Sequence, residues 1–296
     1  MHFSKKALLI INPVSGKKQI RRYIPEVIRA LMDEGYFVTT AVSSRRHEAT
    51  EFVQEYGQDF DLICCTGGDG TLNEVLTGRA REGLDRPLGY IPCGSTNDFA
   101  TSHALSTDIL SAARNMASGP SKRYDIGRFE DRFFSYVAAF GAFSWLSYTT
   151  DQNLKNLLGH TAYILDGIKD VYKLKPYRLS LTADGVRYQG NYLFGAVCNS
   201  LSIAGTINLP PSQVNTNDGL FEVLLIKMPE TISELEGIVT GLLNQDYSRP
   251  GIDFFHAGVI DIENAPGLEW ALDGECSGYY ETIHIEPMRG FLNLQG

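Results

Sequence analysis

The stretch Leu62-Ile-Cys-Cys-Thr-Gly-Gly-Asp-Gly-Thr-Leu-Asn-Glu-Val-Leu76 decides how the chain is read. Leu62 to Cys65 is an apolar run of strand length, Gly67-Gly68-Asp69-Gly70 interrupts it, and from Thr71 onward Leu72, Val75 and Leu76 fall on one helical face. The order is strand, glycine turn, helix. Glycine accepts positive φ and lets backbone N–H groups approach a ligand, while the start of a helix adds unpaired donors and a partial positive charge. Polyphosphate suits such a turn. Asp69 would repel it unless a hard cation such as Mg²⁺ lay between them, or unless the carboxylate met a ribose hydroxyl instead. A tight structural turn would use the same glycines, so the neighbouring segments have to decide.

Upstream, Ala7 to Ile11 is a continuous apolar strand ending at Asn12-Pro-Val-Ser-Gly-Lys-Lys18, a polar loop with phosphate chemistry but without P-loop spacing. Gln19 to Glu34 has helical periodicity through Ile20, Ile24, Val27, Ile28 and Leu31, with Gly35 as its C-cap. Tyr36 to Val42 follows as a strand and His47 to Tyr56 as a helix. Downstream, Leu88 to Ile91 is a fourth strand that runs into Pro92-Cys-Gly-Ser-Thr-Asn-Asp98. Alternating strands and helices predict a parallel sheet with right-handed crossovers. In such a sheet ligands lie outside the carboxyl ends of the strands, so the loops at Asn12, Thr66 and Pro92 should converge on one crevice. Asp69 and Asp98 could together hold a metal bridging phosphates, although Asn97-Asp98 would equally serve as a helix cap.

Composition bounds the function. At 296 residues the chain exceeds a single comfortable core, and 43% hydrophobic with 21% charged residues is ordinary for a folded soluble protein. A net charge of −9 speaks against a nucleic-acid binder. The chain has no apolar run of membrane-spanning length, and Met1-His-Phe-Ser-Lys-Lys leads straight into a strand without signal-peptide architecture, so a cytoplasmic location is expected. Five cysteines without paired C-x-x-C spacing read as reduced packing residues.

From about Tyr124 the pattern changes to antiparallel β. Asp125 to Val137 reads as a hairpin around Glu130-Asp131, and 177–182, 190–198, 221–226, 259–262 and 270–272 read as further strands. A helical stretch from Leu154 to Lys175 interrupts them, and 232–243 reads as a second helix. The segment 286–295 is expected to return to the first domain. This gives an α/β domain over residues 1–123, joined by 286–296, and a β domain over 124–285.

Five motifs in series now carry a resemblance. Asn12-Pro-x-Ser-Gly16, Gly67-Gly-Asp-Gly-Thr-Leu-Asn73, Pro92-Cys-Gly-Ser-Thr-Asn-Asp-Phe-Ala100, Asn217-Asp-Gly-Leu220 and Leu272-Asp-Gly-Glu275 resemble the diacylglycerol kinase catalytic-domain family, specifically its soluble bacterial lipid kinases. Sphingosine and ceramide kinases are related to that family, and NAD kinases more distantly. The resemblance implies a three-layer α/β nucleotide-binding domain, a C-terminal antiparallel β-sandwich, and transfer of the γ-phosphoryl group of ATP to a lipid hydroxyl. Carried over residue by residue, it implies ATP contacts at Asn12, Pro13, Val14, Ser15, Gly16, Thr40, Gly67, Gly68, Asp69, Gly70, Thr71, Leu72, Asn73 and Ser95. It makes Asp273 the proton acceptor and places Glu275, Asp69 and Asp98 around a catalytic Mg²⁺. A second, structural magnesium would use Asp218 with backbone carbonyls of Asn215 and Leu220, although Asn217 stands where some members carry another acid.

From the residues alone, Asp184-Gly185, Asp218-Gly219 and Asp273-Gly274 are all hairpin turns, and only the resemblance separates them. A kinase of a soluble alcohol or nucleotide, and a non-catalytic nucleotide-binding regulator, remain alternatives. The expected partner is a lipid at the membrane surface, met peripherally. The lysines and tyrosines of 154–175 are the candidate docking face, and a homodimer is compatible with the sequence.

Overall fold

The computed structural model describes residues 3–15, 20–141, 176–203 and 207–296. The chain forms two compact units, one of residues 1–136, 215–219 and 287–296, the other of 137–214 and 220–286. Gly16 and the helical stretch read at 154–175, with its lysines, lie outside the described residues.

In the first unit β1 (Lys5–Ile11), β2 (Tyr36–Val42), β3 (Leu62–Gly67) and β4 (Leu88–Pro92) are parallel in the order β4-β3-β1-β2, so β2 is an edge. The apolar runs of β1, β3 and β4 are continuous because these strands are covered on both faces, whereas the edge strand β2 is largely exposed. Ala7, Leu9, Ile11, Leu62, Cys64 and Ile91 form one core layer with Ile20, Val27 and Leu31 of α1 (Ile20–Asp33) and Ala112, Ala113, Met116 and Ala117 of α5 (Ile109–Ser118). Alternate residues Leu8, Ile10, Ile63 and Cys65 are equally buried on the opposite face. That face belongs to α2 (Glu48–Tyr56) and α3 (Asp69–Glu82). These two helices meet so closely that a Cβ on Gly78 would stand 2.8 Å from the Thr50 carbonyl oxygen.

The last strand, β17 (Thr282–Gln295), brings the chain back. Leu294 and Gln295 pair in parallel with Leu88 and Gly89 at the β4 edge, and β5 (Ser121–Phe129) pairs with β17 in turn. The hairpin read around Glu130-Asp131 is β5 with β6 (Arg132–Phe134), and Glu130 supplies the left-handed turn residue at φ 52°. The expected division at 123/124 falls before this hairpin, whereas the units divide at 136/137. The reason is local: the Asn73 amide of α3 donates to the Phe133 carbonyl (2.9 Å), and β5 is tied to β17, so the hairpin stays with the α/β unit.

In the second unit the strands are antiparallel and organised around β9 (Val186–Cys198). Its first half pairs with β8 (Tyr177–Ala183), and its second half runs between β7 (Val137–Gly141) and β12 (Phe221–Lys227). Beyond β12 lies β13 (Ile252–Ala257), beyond β8 lies β14 (Ile260–Glu263), and beyond β7 lie β15 (Glu269–Leu272) and β16 (Glu275–Tyr279). The sequence does not mark β13 and β16 as strands. A helix, α6 (Ile232–Asn244), spans the segment read as helical at 232–243, with Thr231 accepting from the Glu234 N–H as its N-cap.

One buried group works against stability. The Arg79 side chain in α3 is fully buried, and one nitrogen reaches the Arg86 carbonyl while Nε and Nη1 have no hydrogen-bond partner among the described residues. Burial draws its pKa down to about 10, offset only in part by the charge of Asp85, which is itself paired with Arg123, and the Phe291 ring lies 5.5 Å away. Arg79→Met, which keeps the volume and removes the charge, is expected to raise the unfolding free energy by about 1 kcal/mol or more in urea titration.

Candidate active site

The carboxyl ends of β1, β3 and β4 converge as the sheet rule requires. The Asn12 N–H donates to the Thr66 carbonyl (3.0 Å), and the Asn12 amide donates to Thr71 Oγ1 (2.9 Å). Asn12 Oδ1 accepts the Val14 N–H, an Asx-turn that shapes the loop, and Arg21 clamps the Pro13 carbonyl at 2.9 Å. Between the β3 and β4 loops the approach is backbone to backbone. A Cβ on Gly94 would lie 2.7 Å from the Gly68 Cα, and one on Gly68 would lie 3.1 Å from the Gly94 Cα. Neither glycine has positive φ. The glycines are required for close approach, which corrects the expectation that conformational freedom would also be used.

Asp69 opens α3, with Gly68 as N-cap, and is buried. Its carboxylate reaches across to α4 (Asp98–Ser102): Oδ2 accepts the Asp98 N–H (3.2 Å) and Oδ1 the Phe99 N–H (3.3 Å). Asp98 is buried beside it at the start of α4. The expectation that Asn97-Asp98 caps a helix is therefore met from outside, by Asp69. Asn97 sits at φ 52° with its side chain bonded to Gly94 N–H and C=O, which closes the 94–97 loop.

The other expected nucleotide residues divide. Thr71 is buried as the acceptor for Asn12, and the Leu72 side chain is core, so these side chains build the loop. Asn73 holds β6. Val14 and Ser95 are exposed in their loops, Ser15 and Gly70 are half-buried, and Thr40 is exposed on β2 opposite Leu9. Gly67 is buried at the end of β3, and its carbonyl accepts the Cys93 N–H (2.7 Å) and the Tyr90 hydroxyl (3.2 Å). Burial first, then the charge of Asp69, pushes the Tyr90 phenol well above its ordinary range, so it remains a neutral donor.

In the second unit Asp273 (φ 49°) and Gly274 (φ 85°) form the two-residue turn joining β15 to β16, as Asp-Gly predicts. Asp184 (φ 45°) and Gly185 (φ 85°) do the same between β8 and β9. Burial separates them. Asp184 is exposed and accepts the Gly258 and Val259 N–H groups at 2.8 Å, whereas Asp273 is 5% exposed and its Oδ1 accepts the Val137 N–H at 3.1 Å. Glu275 is half-buried next to the turn.

Asp218-Gly219 is not a hairpin, which corrects the third Asp-Gly expectation. Only Gly219 is left-handed (φ 77°), because Asp125 captures its N–H at 2.7 Å. Asp125 also takes the Gly290 N–H at 2.6 Å and donates its own N–H to the Thr216 carbonyl, joining β5, the 215–219 loop and β17. Asn215 and Asp218 are exposed and Leu220 is half-buried. Nothing in the residue pattern marks this carboxylate's role, since its partners lie about 90 and 165 positions away.

The donors suit a hard cation. Asp69 and Asp98 offer oxygen only, and Mg²⁺ ordinarily takes one or two carboxylates with phosphate oxygens and waters. Among the described residues no group of three or more His, Cys, Asp or Glu side chains gathers as a metal site.

A parallel sheet whose glycine loops close on paired carboxylates, followed by an antiparallel β unit, fits the class of two-domain phosphate-binding proteins. Residues 6–129 match the diacylglycerol kinase catalytic domain, and residues 144–291 match the YegS C-terminal NAD kinase beta sandwich-like domain. Diacylglycerol kinase of Bacillus subtilis (strain 168) is 30% identical over 95% of this chain and 96% of its own. That of Staphylococcus aureus (strain bovine RF122 / ET3-1) is 32% identical over 98% and 90%. A crystal structure of a diacylglycerol kinase from Bacillus anthracis str. Sterne superposes with TM-score 0.75 at 21% identity, covering 98% of this chain and 96% of the other, and supports the fold. The chain belongs to the diacylglycerol kinase family.

Beside the site, His103 lies between the rings of Phe99 and Tyr124, each 4.2 Å from it by centroid, with Nε2 buried and without a hydrogen-bond partner among the described residues. Burial lowers its pKa from 6.5 to about 4. The folded state thus favours neutral imidazole. Its contribution is fully present above pH 6.5 and is lost as pH falls towards 4, by up to about 3 kcal/mol. His103→Phe is expected to flatten that part of the stability-against-pH curve. A second expectation concerns the glycine contact. Gly68→Val places a branched side chain against Gly94, and Asp69→Ala leaves the α4 amides without their acceptor, so either should abolish nucleotide binding in equilibrium dialysis while the β unit keeps its near-ultraviolet dichroism.

Proposed function

We propose that the protein is an ATP- and Mg²⁺-dependent lipid kinase that phosphorylates a hydroxyl of diacylglycerol or a similar lipid. The observation that carries the reading is the backbone-to-backbone approach of Gly68 and Gly94 beside two buried carboxylates, Asp69 and Asp98. A cradle without side chains admits phosphate to main-chain donors, and the α3 N-terminus favours its charge. In this reading Asn12 to Gly16, Gly67 to Asn73, Thr40 and Ser95 bind ATP, and Asp69, Asp98 and Glu275 hold the catalytic Mg²⁺. The metal supplies neutralisation of charge on the transferring phosphoryl group. A second ion at Asp218 and the Asn215 and Leu220 carbonyls belongs to the same proposal.

Phosphoryl transfer asks the protein chiefly for positioning and electrostatics, with modest demand on a base. Asp273 is suited to accept the proton of the lipid hydroxyl, since its turn and the Val137 N–H hold the carboxylate in one orientation. A lipid with two acyl chains does not leave a bilayer readily, so the enzyme would work peripherally at the cytoplasmic membrane surface. Among the described residues no helix is long and apolar enough to cross one.

Labelled ATP offered with a panel of lipids and soluble alcohols tests the reading, and label appearing only in soluble alcohols or nucleotides would replace the lipid acceptor. Within it, Asp273→Asn keeps the turn and the acceptor for Val137 but cannot take a proton. The expected result is a kcat lower by about two to four decades with ATP affinity little altered. Near-normal kcat would return Asp273 to the role that Asp184 has.

A further inference from the structure

We propose that Tyr90 is a positioning residue for the phosphoryl-transfer site, acting through Gly67 and Phe99 on both ends of the Asp69 clasp. For its activity readout the inference rests on the kinase reading above. Its structural readout does not.

Tyr90 sits in β4 opposite Cys65 of β3, 3% exposed. The ring would pack equally well as phenylalanine, and burying a hydroxyl costs free energy unless it finds a partner. Its partner is the Gly67 carbonyl (3.2 Å), which the Cys93 N–H also reaches at 2.7 Å. The peptide between Gly67 and Gly68 is planar, so two donors fixed on the Gly67 oxygen aim the Gly68 N–H to the opposite side. Gly68 is the residue whose backbone meets Gly94, and it precedes Asp69. The hydroxyl therefore sets the direction of the first donor of the cradle.

The same ring stands edge-on to Phe99 at 6.1 Å and 70°. Phe99 gives its N–H to Asp69 Oδ1, next to the Asp98 N–H on Oδ2. His103 and then Tyr124 extend the stack behind Phe99. Tyr90 thus touches the strand end that leads into Asp69 and the helix whose amides Asp69 holds. A change in its position alters the acceptor and the donors together.

The test is Tyr90→Phe, which removes one oxygen and keeps the ring. Amide hydrogen exchange is followed at Cys93, whose N–H shares the Gly67 carbonyl, and at Asp98 and Phe99, with the β1 and β3 amides as the reference for intact folding. The proposal expects at least about threefold faster exchange at those three amides alone, as loss of one net hydrogen bond gives. It also expects kcat with ATP and a diacylglycerol acceptor to fall about three- to tenfold, with acceptor KM unchanged. Tyr90→Leu, which also removes the ring edge, should increase the effect at Asp98 and Phe99 more than at Cys93. Unchanged exchange at the three amides overturns the proposal, as does unchanged kcat in Tyr90→Phe when the wild-type chain turns over. Because exchange is read without turnover, failure of the kinase reading and failure of the Tyr90 role give different results.

Discussion

The contact on which the α/β unit depends is the Asp69 carboxylate accepting two amides from α4. A buried carboxylate needs compensation. Here it comes from the N-terminus of its own helix and from the N–H groups of a second one, both of which favour negative charge. A carboxylate oxygen carries two lone pairs, so accepting an amide from α4 does not in itself bar it from a cation. The clasp also fixes Asp98, because the N–H taken by Asp69 belongs to Asp98 itself. The two acids proposed to share a metal are held at one spacing before any ligand arrives.

The first turns of α3 distribute this order further. Thr71 takes the Asn12 amide, Asn73 donates to the Phe133 carbonyl, and Glu74 accepts the His47 and Ala49 N–H groups at the start of α2. Glu48 closes the other side of that loop by accepting from Ser44 and Arg45. Below this polar rim the helix is held by Leu72, Val75 and Leu76, all fully buried or nearly so. Non-directional burial supplies the stability and the directional bonds supply the geometry. That division explains how a loop rich in glycine, which is entropically costly to order, can hold a defined shape.

What the sequence disclosed follows from the same division. Fully buried parallel strands announce themselves as apolar runs, as Leu62–Cys65 does, and the edge strand Tyr36–Val42 was legible to the residue from its β-branched and aromatic content. Convergence of the Asn12, Thr66 and Pro92 loops was legible because it follows from topology. By contrast β13, with the sequence IDFFHA, lies beside Gly251 and alternates weakly, and β16 contains Gly278, so neither has a clean period of two. The cross-chain work of Asp125, Glu74 and Tyr90 was illegible for a different reason. Each acts on backbone groups, and a backbone acceptor or donor leaves no mark on the residue type at its position.

The three Asp-Gly pairs show where local reading ends. Two adopt the same left-handed turn, as the dipeptide requires, and the third does not, because a carboxylate about ninety residues away takes the glycine N–H. Turn chemistry is therefore common to Asp184 and Asp273 and cannot assign a role to either. Environment can. Asp184 spends both oxygens on neighbouring amides in the open, so its charge is screened and already used. Asp273 accepts the Val137 N–H through Oδ1 in a site 5% exposed, where each polar interaction is stronger than in water. An identical backbone motif thus closes a loop in one place and presents an enclosed carboxylate in the other, and the difference lies in the strands packed around it.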